Sequence, residues 1–124
     1  MVEYPQKREE LTYYVRLMTE PERARRVWVE HILPEGKHFD SFTEAISFFF
    51  DETQFDSKDL SVGSILKNEE EWHAVKRLME AMLIVFRKVG GAYAPDEEYL
   101  ETAEWEEVVK AAKVALDILG KSPT

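Results

Sequence analysis

The chain has 124 residues, enough to bury roughly two-thirds of its unfolded surface and to fold as one domain, 1–124. It contains no cysteine, which excludes a disulfide framework, a thiol nucleophile and thiolate metal sites, and fits a reducing, cytoplasmic compartment. Twenty-five acids against sixteen lysines and arginines give a formal charge of −9, which disfavours nucleic acid and anionic membranes and favours a basic protein partner.

The N-terminal MVEYPQKREEL carries early acids and no apolar run, so no cleaved leader is expected there. The first helical pattern follows, with Leu11, Tyr14, Val15 and Met18 on one stripe. Thr19 then reads as an N-cap, with Pro21 in the first turn and Glu22 at capping-box spacing. The second helix points Ala24, Val27, Trp28 and Ile32 inward and stops before Pro34, although Val27-Trp28-Val29 also fits a short strand. Ser41 opens the third helix, again with a capping-box glutamate, Glu44. Phe42, Ala45, Ile46, Phe49 and Phe50 share its core face, while Phe48 lies off the stripe and either covers a neighbouring element or is exposed.

Leu60 to Leu66 is short, β-branched and glycine-containing, and reads as an extended connector. Asn68 and Glu71 cap the longest helix, and Glu69 to Glu71 complement its dipole. Its stripe is Trp72, Val75, Met79, Met82, Leu83 and Phe86, widened by Leu78, Ala81, Ile84 and Val85, so the helix is central. The longest apolar stretch in it, Leu78 to Val89, is interrupted by charges and too short to span a bilayer. Gly90-Gly91 ends this helix. The last helix follows Thr102 with Trp105, Val108, Val109, Ala112, Leu116 and Leu119 in register, and Gly120 stops it. The expected fold is mainly α, a compact single-domain bundle of about five helices with one short extended segment. Trp72, Met79, Phe86, Val109 and Leu116 are expected in one core.

No assignable chemistry assembles from these residues. A calcium loop starting at Asp51 would need oxygen ligands at its first, third and fifth positions, glycine at the sixth and an acid at the twelfth. Those last three positions hold Phe55, Asp56 and Val62. Two E-x-x-H spacings, Glu35–His38 and Glu70–His73, match half of a di-iron set, but the first contains glycine after Pro34 and the second lies on a charged face. Serines fall at caps and in loops without a neighbouring histidine. No metal, cofactor or catalytic residue is therefore assigned, and His31 reads as an interfacial side chain.

Two surface features remain. Asp51, Glu52, Asp56 and Asp59 follow the third helix as solvated loop carboxylates, suited to docking a basic partner, to local pairing or to solubility. Arg23, Arg25 and Arg26 form the concentrated positive patch, pairing with acids of the chain or, through Arg25 and Arg26, contacting an anion or ligand. The three tryptophans read as core, with one able to anchor an interface instead.

Several segments together carry a resemblance. They are Tyr4-Pro5 with Arg8-Glu9, Pro21-Glu22, Arg25 to Glu30, Phe39-Asp40, Asp51-Glu52-Thr53 and Val62-Gly63. Tyr99-Leu100, Trp105, Val108-Val109 and Ala111-Ala112 extend it over nearly the whole chain. The sequence is similar to a family of small uncharacterised bacterial proteins common in actinobacteria, and departs from it in the Phe48-Phe49-Phe50 run and the acidic helix start at Glu69. The resemblance implies one intact domain and transfers no activity, ligand or site residue. The function expected from size, charge and the missing catalytic set is a non-catalytic protein-binding module of immunity or regulatory type. The alternative is an enzyme or small-ligand protein with an inter-helix pocket near Arg25, Arg26, His31 or His73.

Overall fold

A computed structural model describes residues 2–33, 40–90 and 94–121. Among these residues the chain forms seven helices and no strand. They are α1 (Pro5–Met18), α2 (Pro21–Trp28), α3 (Phe42–Phe50), α4 (Lys58–Ser61), α5 (Glu69–Val89), α6 (Asp96–Leu100) and α7 (Trp105–Lys121). The five helical patterns correspond to α1, α2, α3, α5 and α7. The two additions, α4 and α6, are four and five residues long, shorter than the spacing needed to reveal a period.

The caps at Ser41 and Asn68 form as their sequences require. The Ser41 hydroxyl accepts from the Glu44 N–H at 3.0 Å, and Asn68 Oδ1 accepts from the Glu71 N–H at 2.9 Å. Thr19 does not cap α2. It ends α1, donating its hydroxyl to the Arg16 carbonyl at 2.6 Å, while Glu20 occupies the N-cap position with no side-chain bond. Gly120 does not end α7 either, since the helix continues through Lys121. Gly90 does end α5, in the left-handed conformation at φ +105°.

Packing centres on the antiparallel pair α5–α7, with α1 against α7. Lys88 Nζ reaches Glu104 Oε2 at 2.7 Å across one end of that pair. Buried Val75, Leu78, Met82 and Val85 of α5 share a core with Val108, Ala112, Ala115 and Leu119 of α7. Of the five residues expected in one core, Met79 is fully inside, while Trp72, Phe86, Val109 and Leu116 pack against it partly buried. An aromatic cluster fills one end. Phe42 lies 4.7 Å from Tyr99, 5.3 Å from Trp105 and 5.8 Å from Trp28, and Phe86 stacks on Tyr99 at 6.1 Å. Trp28 and Trp105 are thus core, and Trp72 donates its indole N–H to the Phe55 carbonyl at 2.8 Å.

Three expected core positions fail, for identifiable reasons. The helix at Val27-Trp28-Val29 stops at Trp28, and His31 takes a left-handed φ of 57°, which carries Ile32 out to solvent. In α3 the buried arc is rotated towards Phe48, which is fully buried against Tyr14 at 5.3 Å and Phe55 at 6.4 Å. Phe50, on the opposite edge of that arc, is exposed. Ile84 also faces water instead of widening the α5 stripe.

One buried ion pair ties the elements together. Arg8 of α1 grips Glu71 of α5 with two bonds of 2.8 Å, and Glu71 is fully buried. The same guanidinium donates to the carbonyls of Ile65, at 3.0 Å, and Leu119, at 3.4 Å. Glu71 is therefore a structural anchor, not only a complement to the α5 dipole.

Candidate functional site

Residues 51–66 are held by a frame that presents their acids outward. The Asp51 and Glu52 N–H groups both donate to the Ser47 carbonyl, and the Thr53 hydroxyl donates to Phe49, so the chain folds back over the end of α3. Phe55 then plunges inward against Phe48 and Phe49. The buried Ser61 hydroxyl lies 2.6 Å from the Gln54 carbonyl and 2.7 Å from that of Ser57, and the Ser57 hydroxyl caps α4. The expected extended connector is in fact α4 followed by a tight turn. Gly63, at φ +97°, donates to the Leu66 carbonyl at 2.7 Å, and Val62 and Leu66 form an isolated bridge.

The N-terminal segment clips onto this turn. The Glu3 and Tyr4 N–H groups donate to Gly63 and Ser64 at 2.9 and 2.8 Å. That places the Tyr4 ring, 52% exposed, beside Asp51 and Glu52 along a depression of about 360 Å³. Leu60 is 55% exposed, and the Ser64 hydroxyl donates to its carbonyl, so it flanks the same turn. Hydrogen bonding to the Glu3 carboxylate raises the Tyr4 phenol above its usual range, so the phenol stays neutral and able to donate.

All four expected carboxylates, Asp51, Glu52, Asp56 and Asp59, are exposed. Glu52 pairs with Lys7 at 3.3 Å, and Lys7 also lies 5.6 Å over the Phe48 ring. Among the described residues, Asp51, Asp56 and Asp59 form no ion pair; Lys58, between the last two, is engaged by Glu69 at 3.3 Å. Local pairing thus accounts for one acid of the four. The apolar members of this face, Tyr4 and Leu60, carry no signal in the sequence that would join them to these carboxylates.

The arginine patch is largely neutralised within the chain. Arg25 pairs with Glu97 of α6 at 2.7 Å, and that hydrogen bond raises the guanidinium further above its ordinary value. Arg23 meets Glu20 at 3.7 Å. Arg26 lines a broad depression beside α2 with Glu20, Glu22 and Arg23, so an anion there would meet carboxylates as well as guanidinium groups. His31 is exposed, and His73 lies 3.3 Å from Glu69, lining a different depression between α5 and α7. Arg25, Arg26, His31 and His73 do not line one cavity among the described residues. Glu35 and His38 lie outside the described residues, and within those residues no group of three acids or histidines is placed to hold a metal ion.

A second carboxylate group, invisible in the sequence, sits at the start of α3. Asp40 is fully buried, accepting from the Tyr13 hydroxyl at 2.7 Å and the Ser41 N–H at 2.9 Å. Asp96 of α6 accepts from the Phe42 N–H at 3.0 Å. Together they satisfy N–H groups at the α3 N-terminus, which is a structural duty.

No helix among the described residues is long and apolar enough to cross a membrane. No curated protein and no solved structure matches the chain. A family model does match, over residues 2–124, and it is described as a domain of unknown function, DUF7945. The chain belongs to the DUF7945 family.

Proposed function

We propose that this protein is a non-catalytic binding module that acts by docking a basic protein partner in the cytoplasm, in the manner of an immunity or regulatory protein. The observation that carries the reading is the face built from residues 51–66 and the N-terminal segment. It presents Asp51, Asp56 and Asp59 without ion-pair partners among the described residues, together with exposed Tyr4 and Leu60. Unpaired carboxylates steer a cationic partner into encounter, and an aromatic and an aliphatic side chain supply the contact that water must leave. The hydrogen-bonded frame beneath keeps the cost of ordering this face low on binding. The net charge of −9 works in the same direction at longer range.

The test is kinetic. With the partner identified from gene neighbourhood and pull-down, Asp51→Lys with Asp56→Lys and Asp59→Lys should slow association and flatten its salt dependence. Leu60→Ala and Tyr4→Ala should instead speed dissociation. Association and dissociation rates unchanged by both sets would remove this face from the interface.

A further inference from the structure

On the far side of the α5–α7 pair, away from the core, lies a face with different chemistry. Ile84 is 57% exposed and Val114 47% exposed. Two adjoining depressions, of about 390 and 360 Å³, run along the seam between the helices and share Arg77 and Val114. Their floor is small and apolar, formed by Ala74, Ala81 and Ala111. Among the described residues, no other helix covers Ile84 or Val114.

The charges on this pair single out one kind of occupant. The α5 sequence carries four acids and four bases, and α7 carries three and three, so the two helices sum to zero. The whole chain is −9, so the rest of the molecule carries all of that net charge (−9 minus 0). Copies of the protein therefore repel one another least through α5 and α7. Each helix also runs from acid to base. On the solvent side α5 begins at Glu69-Glu70 and ends at Arg87-Lys88, while α7 begins at Glu106-Glu107 and ends at Lys121. An order of this kind complements each helix dipole, and it also makes the face self-complementary under a two-fold axis. A copy crossing antiparallel sets acidic first turns beside basic last turns.

Size agrees. The 21 residues of α5 extend about 30 Å at 1.5 Å each, and two adjacent helices are roughly 20 Å wide, so the face covers about 600 Å², at the small end of the standard interface range of roughly 600–1,000 Å² per partner. The charges that line the two depressions, Glu70, Glu80 and Glu107 against Arg77 and Lys110, nearly balance, so a basic partner of the kind proposed above gains little from this face.

We propose that the outer face of α5 and α7 is a homodimer interface, with Ile84 and Val114 of two copies packed at its centre as an antiparallel four-helix layer. This does not depend on the docking face at Tyr4 and Leu60, which stays open in such a dimer.

Sedimentation velocity and light scattering across the micromolar to submillimolar range test it. The expected result is a concentration-dependent rise from the monomer mass to twice that mass. Ile84→Glu with Val114→Glu should hold the protein at the monomer mass, with its helical circular dichroism and melting of the monomer intact, because both side chains are exposed. Val114→Arg alone serves as a second variant and should weaken dimerisation at least tenfold. A monomer mass throughout the range would overturn the proposal, and so would a dimer that survives all of these variants.

Discussion

Replacing Arg8 with methionine keeps the aliphatic stem and removes the guanidinium that two 2.8 Å bonds hold against Glu71. The Arg8 side chain is only 14% exposed and that of Glu71 0%, so solvent does little to screen the pair. Removing one partner of such a pair leaves an uncompensated buried charge, at a cost of about 3–5 kcal/mol. The Ile65 and Leu119 carbonyls lose a donor as well. Against a total stability of roughly 5–15 kcal/mol this is a large fraction, and the melting temperature should fall by about 10 °C or more. A urea titration should show the midpoint falling with the slope unchanged. Adding Glu71→Leu to Arg8→Met removes the orphaned charge and should recover much of the loss. Recovery is incomplete, because the Lys67 N–H, now 2.7 Å from Glu71 Oε1, would lose its acceptor. A deficit below about 1 kcal/mol for Arg8→Met, or a double variant as unstable as the sum of the single ones, would refute this account.

Burial raises the Asp96 carboxyl above its ordinary value, outweighing the Phe42 N–H bond and the nearby His31. Because its folded value lies above the unfolded one, Asp96 destabilises the fold when ionised, and that penalty disappears as pH falls through the folded value. Asp96→Asn, which keeps an acceptor for Phe42, should therefore melt higher than the parent at neutral pH, with the gap closing in acid; a gap constant with pH would count against it. Gly90→Ala places a Cβ in open space but at φ +105°, so it should cost about 1–2 kcal/mol purely through the backbone. A neutral result in the same titration would mean that α5 ends differently.

Local chemistry made much of this fold readable. Ser41 and Asn68 announce their helices because a cap needs only residues three apart, and the α5 and α7 stripes repeat often enough to define a face. What stayed hidden depends on distance in sequence. Nothing near Glu71 indicates that its partner is Arg8, 63 residues away, so it reads as one more acid in a first turn. Phe48 and Phe50 cannot be ranked from α3 alone, since the answer lies in where Tyr14 and Phe55 pack. The candidate site divides the same way. Its loop carboxylates are legible as a run of acids after a helix, whereas Tyr4 joins them only because its backbone docks on Ser64.

The reach of Arg8 has a consequence for local opening. Its guanidinium touches the first turns of α5 through Glu71 and the end of α7 through the Leu119 carbonyl, 111 residues along the chain. Helix ends normally fray independently, at little free-energy cost. Here, unwinding either the first turns of α1 or the last turn of α7 disturbs the donors around one buried carboxylate. Amide hydrogens near Arg8 and near Leu119 should therefore exchange together, through one shared opening, although they belong to opposite ends of the sequence.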